Sequence, residues 1–245
     1  MPQPVLVVVD VQERLFNAMD AEHRDEMVRN IKILGATARR LGVPVLVTEQ
    51  YPRGLGHTLP ELRALLDDVT PLEKTAFSCC SAEGFAERLR GLRPSRVILT
   101  GIEAHVCVLL TALDLLGQGF AVSVVADAVS SRTTANLELG LAQARQGGAV
   151  VTATETVVFQ LLGRADTDAF HEIAKLLKWN TFTAQIYDRL PLAFTRDQEV
   201  FVQMATEEKR AALWGMDQAG TRTAVEVFVQ NGLLERFRSW SGAAD

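Results

Sequence analysis

Three kinds of side chain in this 245-residue chain could do covalent chemistry: free thiols, carboxylates at strand ends, and a lysine among apolar neighbours. The thiols are Cys79, Cys80 and Cys107. Cys107 has the most telling context. The run Ser95-Arg-Val-Ile-Leu-Thr-Gly101 reads as a strand broken by glycine, and Val106 to Leu116 resumes with apolar residues at helical spacing. A strand, a tight turn and a helix opening would put Cys107 in a first helical turn. There, unpaired backbone N–H groups and the helix dipole favour a thiolate. Against this stands the common fate of a free cysteine, packing as a small apolar side chain. Spacing alone leaves both readings open. Asp10 closes the apolar run Val5-Leu-Val-Val-Val9, either as a base or as a solvated strand terminus. Lys74, in Pro71-Leu-Glu-Lys-Thr-Ala-Phe77, reads by itself as an ordinary surface lysine.

The elements that must position these residues alternate. β-Branched or apolar runs predict strands at Val5–Val9, Val43–Thr48, Val69–Glu73, Arg96–Thr100, Phe120–Ala126 and Ala149–Ala153. Helical periodicity covers Ala21–Leu41, Pro60–Leu66, Ala82–Leu92, Val106–Leu116, Thr134–Gln146, Thr156–Leu162 and Asp168–Lys178. This alternation predicts an α/β, three-layer, Rossmann-like fold around a six-stranded parallel sheet. In the order 3-2-1-4-5-6, strands one and four meet at the switch point, which would bring Asp10 and Cys107 together. The first strand–helix turn has no GxGxxG or GxxxxGK[ST], so nothing supports nucleotide binding. From about Trp179 the texture changes, with helices expected at Thr195–Leu213 and Thr223–Trp240. A main domain of residues 1–178 and a helical C-terminal extension of residues 179–245 follow.

A formal charge of −5, with both signs spread along the chain, speaks against nucleic-acid and anionic-membrane partners. Three cysteines without a CxxC pair predict no disulfide framework. The residues from Met1 to Val5 do not read as a signal peptide, and no apolar run is long enough to span a membrane. The expected setting is a reducing cytoplasm.

Val7-Val-Val-Asp10-Val-Gln12 with Phe16, then Lys74-Thr-Ala-Phe-Ser78, then Leu99-Thr-Gly-Ile-Glu-Ala-His-Val-Cys107 resemble, in order, the isochorismatase-like cysteine hydrolases. Nicotinamidases and carbamoylsarcosine amidohydrolases belong to the same family. Thr48-Glu-Gln-Tyr-Pro-Arg-Gly-Leu-Gly56, Pro60-Glu-Leu62 and Asp127-Ala-Val-Ser-Ser131 look more narrowly like the isochorismatase-domain-containing proteins. The resemblance covers about Pro4 to Lys178. It implies a Cys107–Asp10–Lys74 triad: nucleophile, proton carrier and neighbouring positive charge. It further implies a cis Ile102–Glu103 peptide, with the N–H groups of Glu103 and Cys107 facing an oxyanion. Each such donor is typically worth about 3–4 kcal/mol to the transition state.

Departures narrow the expectation. Nicotinamidases carry a metal site just after the second strand, but here that region reads Glu49-Gln50-Tyr51 with a lone His57, so no metal and no cofactor are expected. Retention of Cys107 favours acyl chemistry over vinyl-ether hydrolysis. His105 is a competing base but immediately precedes the helix. Glu49, Gln50, Tyr51 and Leu55 are candidates for the substrate mouth, because loops after strand ends hold binding residues in this class. Cys79 and Cys80 are expected to pack beneath the loop. The resulting expectation is a metal-independent hydrolase of a small amide or related carbonyl compound, assembled as a homo-oligomer. Vinyl-ether hydrolysis and a non-catalytic binding protein remain the alternatives.

Overall fold

A computed structural model describes residues 3–177. The expected helices at Thr195–Leu213 and Thr223–Trp240, and the expected extension of residues 179–245, lie outside the described residues.

Six strands form one parallel sheet: β1 (Val5–Val9), β2 (Val45–Gln50), β3 (Leu72–Lys74), β4 (Val97–Ile102), β5 (Val122–Ser130) and β6 (Val150–Thr152), in the order β3-β2-β1-β4-β5-β6. Every residue of β1 is buried, because helices cover both faces and a central strand has no solvent side. Its odd-numbered residues Val5, Val7 and Val9 join Phe85, Leu89, Leu99, Val108 and Leu115 in one core. Around this sheet stand α1 (Glu13–Ala18), α2 (Ala21–Leu41), α3 (Pro52–Leu55), α4 (Pro60–Leu65), α5 (Phe85–Leu92), α6 (Leu109–Gly117), α7 (Thr134–Gln146), α8 (Thr154–Leu162) and α9 (Asp168–Leu177). α2 packs with α8, while α6 packs with α7. Among the described residues, no helix is long and apolar enough to cross a membrane.

Local chemistry explains the boundaries. Asp20 caps α2 by accepting from the Glu22 N–H at 3.0 Å, and Gly42 ends it in a left-handed conformation at φ 67°. The register Val9↔Thr48 and Val9↔Gly101 aligns the carboxyl ends of β2, β1 and β4. Three expected elements are corrected. The third strand is Leu72–Lys74 rather than Val69–Glu73, because the Val69 N–H still bonds to Leu66 O at 3.0 Å in the turn after α4. β5 continues to Ser130, its register with β4 shifting between Leu99 and Gly101. The expected Val106–Leu116 helix opens instead as a π-helical turn, Ala104–Val108, before α6 begins.

Candidate active site

Asp10 follows β1 with φ 52°, a left-handed conformation that aspartate tolerates better than most residues. Its Oδ1 accepts from Thr48 Oγ1 at 2.7 Å. Its Oδ2 lies 2.6 Å from Lys74 Nζ, and neither side chain has any solvent exposure. Lys74 is therefore not a surface lysine. β3 delivers it beside β2 in the pair Gln50↔Lys74, and its ammonium donates to Gln50 Oε1 at 2.6 Å. Further acceptors are the carbonyls of Ala76 at 3.2 Å and Phe77 at 3.0 Å. A buried ammonium survives only when its donors are met, and here they are.

Cys107 sits in the π-turn, where the Val108 N–H reaches back five residues to Glu103 O at 3.1 Å. Such turns recur at functional sites. The Cys107 thiol lies near enough to Asp10 and Lys74 to feel the charge of both, which brings the three groups into one site. The Ile102–Glu103 peptide bond immediately before the turn is cis. Two glycines permit this approach. Gly101 has φ +103°, and a Cβ there would lie 2.1 Å from Val9 O. At Gly140 of α7, a Cβ would lie 2.8 Å from the backbone of Ala104 and His105.

Burial dominates the electrostatics. It raises the Asp10 carboxyl above its ordinary value, against the pull of Lys74 and Thr48. Burial alone would lower Lys74, yet Asp10 together with Cys107 and Cys79 outweighs it and the ammonium is held above its usual range. Burial, reinforced by Asp10, pushes the Cys107 thiol up to about 12 despite Lys74. Burial and Asp10 thus oppose the thiolate that a helix opening and Lys74 favour.

The isochorismatase domain model matches residues 4–156. This chain belongs to the isochorismatase family. Isochorismatase domain-containing protein 2 of Xenopus laevis is 40% identical over 174 residues, covering 71% of this chain and 82% of that protein. The secreted isochorismatase effector Isc1 of Phytophthora sojae is 41% identical over 179 residues, covering 71% and 84%. Among solved structures, MAR1 ribonuclease from Caenorhabditis elegans is similar with a TM-score of 0.67 and 40% identity, covering 72% of this chain and 90% of that one.

The isochorismatase fold distributes the remaining candidates unevenly. Gln50 reaches the Asp10–Lys74 pair through Lys74, and its own amide donates to Thr75 O at 2.8 Å. Glu49 points to the opposite side of β2, as strand alternation requires. It accepts from the Thr58 N–H at 2.7 Å and hydroxyl at 2.8 Å, and lies 3.0 Å from His57 Nδ1. Those partners outweigh burial and lower its carboxyl below the usual range. Glu49 thus latches the loop after β2. Tyr51 is 54% exposed, and Leu55 is half-buried in α3. His105 Nδ1 lies 3.0 Å from Ser131 Oγ. Among the described residues, one group could hold a cation, Asp20–Glu22–His23 at the start of α2, and it shares no residue with Asp10, Lys74 and Cys107.

Reading the sequence missed Gln12, Thr48 and Thr111. Gln12 is fully buried, accepts from the Gln50 N–H at 2.7 Å, and donates to Gln50 O at 3.0 Å and Gly56 O at 2.6 Å. Thr111 Oγ1 donates to Cys107 O at 2.6 Å and accepts from the Cys79 N–H at 2.9 Å. For Thr48, alternation along β2 combined with a parallel register against β1 could have signalled its place beside Asp10.

Proposed function

We propose that this isochorismatase-family chain is a metal-independent cysteine hydrolase that cleaves a small amide or related carbonyl compound through a thioester. The observation that carries the reading is the sealed Asp10–Lys74 pair, 2.6 Å apart, with the buried Cys107 thiol within reach of both charges. As Sγ attacks the carbonyl carbon, the thiol proton passes to Asp10 and the S–C bond forms. The backbone N–H groups of Glu103 and Cys107 receive the oxyanion. Asp10 then gives its proton to the leaving nitrogen as the C–N bond breaks. A water molecule surrenders a proton to Asp10 and attacks the thioester, and the C–S bond breaks with the proton returned to Sγ. Lys74 keeps Asp10 charged between steps and supplies positive charge beside the reacting groups. The net charge of −5 favours a small substrate over a polyanion such as RNA.

A panel of small amides and esters assayed with wild type and Cys107→Ala tests this reading. Turnover that disappears in Cys107→Ala, with an acylated Cys107 peptide trapped by mass spectrometry, is the expected result. Vinyl-ether hydrolysis is the second reading, favoured by the 41% identity to an effector named as an isochorismatase. Isochorismate turnover that survives Cys107→Ala and is lost in Asp10→Asn would install it instead.

A further inference from the structure

The mechanism leaves one buried thiol unused. Cys79 has no solvent exposure and opens a short 3-10 turn, Cys79–Ser81, just after the residues that hold Lys74. Its Sγ lies 3.6 Å from Thr48 Oγ1. The Thr48 proton is already committed to Asp10 Oδ1 at 2.7 Å, so the thiol is the donor and the threonine oxygen the acceptor. The Cys79 N–H donates to Thr111 Oγ1 at 2.9 Å, and that hydroxyl donates to Cys107 O at 2.6 Å. Two residues upstream, Phe77 O accepts from Lys74 Nζ at 3.0 Å. One small residue thus touches the support of Asp10 and of Cys107 through a single intermediary each, and stands two residues from a carbonyl that holds Lys74.

We infer that Cys79 is a positioning residue of the active site, its S–H orienting Asp10 through Thr48 and its N–H orienting Cys107 through Thr111. The inference rests on the triad reading above. Cysteine suits the place on two counts. It is small enough to sit among β2, the turn and α6 without a void, and its weak S–H donor satisfies Thr48 without competing for the carboxylate. Hydrogen bonds in series strengthen one another, so an S–H on Thr48 sharpens the bond that Thr48 makes to Asp10 and favours the charged carboxylate. Cys79 itself is fully buried, and its thiol faces Thr48.

The pair Cys79→Ser and Cys79→Ala separates donor from volume, because the two differ only in a hydroxyl. The readout is the rate at which iodoacetamide alkylates Cys107 in the full chain from pH 5 to 9, followed by peptide mass spectrometry. Cys79→Ala should slow Cys107 alkylation about tenfold, the size that one hydrogen bond supplies. Its rising limb should move to higher pH, because Asp10 loses support for its charged form. Cys79→Ser should stay within about threefold of wild type. Equal rates and pH profiles for wild type and Cys79→Ala overturn the inference and reduce Cys79 to packing. Should the Cys79 variants fail to fold by circular dichroism, Thr48→Ser and Thr48→Val carry the same comparison, with matching pH profiles again overturning it. The triad reading fails separately: wild-type Cys107 would then react no faster than Cys80 and would ignore Asp10→Asn.

Discussion

Lys74 Nζ stands 2.6 Å from Asp10 Oδ2 in a site where neither side chain meets solvent. Thr48 donates to the other carboxylate oxygen, while Gln50 and the carbonyls of Ala76 and Phe77 accept from the ammonium. Breaking such a pair strands a buried charge, and this usually costs about 3–5 kcal/mol, whereas removing both partners costs much less. Lys74→Met and Asp10→Asn should each lose stability of that order in urea unfolding. The double variant should fall well short of the sum. Strict additivity would mean that the two charges do not interact.

The buried thiols make stability fall in alkali. Cys79 and Cys107 both have folded values near 12, above the ordinary 9.0. Between those values the unfolded chain releases protons that the folded chain keeps, so each thiol's contribution is whole below pH 9 and lost as pH rises toward 12. The slope is at most about 1.4 kcal/mol per pH unit per thiol. Urea midpoints of wild type and Cys107→Ala at pH 8 and pH 10.5 test this. The variant should show the shallower decline, and parallel declines would refute it.

Gly140 is a helix-interior glycine, where alanine normally stabilises by about 1 kcal/mol. Here its Cβ would lie 2.8 Å from the backbone of the turn that carries Cys107. Gly140→Ala should therefore lower the melting temperature and slow iodoacetamide at Cys107 more than at Cys80. A raised melting temperature with unchanged labelling would show that α7 simply slides away.

Glu49 gives the opposite pH sign to the thiols. Its folded value is lowered by Thr58 and His57, so its contribution is present above the unfolded value of about 4.5 and lost as pH falls through the folded one. Glu49→Gln should cost about 1–3 kcal/mol near neutrality. The gap from wild type should close as the pH drops below that range. A gap independent of pH would assign the loss to shape rather than charge.

The alternation of buried runs and helical stripes determines the parallel α/β fold, because a strand covered on both faces must be apolar at every position. Cys107 and Asp10 were legible as strand-end residues brought together at the switch point, and ordered motifs singled out Lys74. What one chain of letters does not carry is the distance between side chains far apart in sequence. Lys74 reads as solvated until the register Gln50↔Lys74 turns it into the site. Glu49 and Gln50 look equivalent until alternation on β2 sends one to Thr58 and the other to Lys74.

The thiol of Cys107 shows the same division. A helix opening and a nearby lysine both argue for a thiolate, and both features are local or motif-borne. Depth of burial and the second charge of Asp10 arise only when β1, β3 and the π-turn close on one another. Desolvation then outweighs attraction and raises the thiol's value. Sequence determined which groups could react; tertiary packing decided how burial and charge bear on them and which neighbours, Thr48, Thr111 and Cys79, stand beside them.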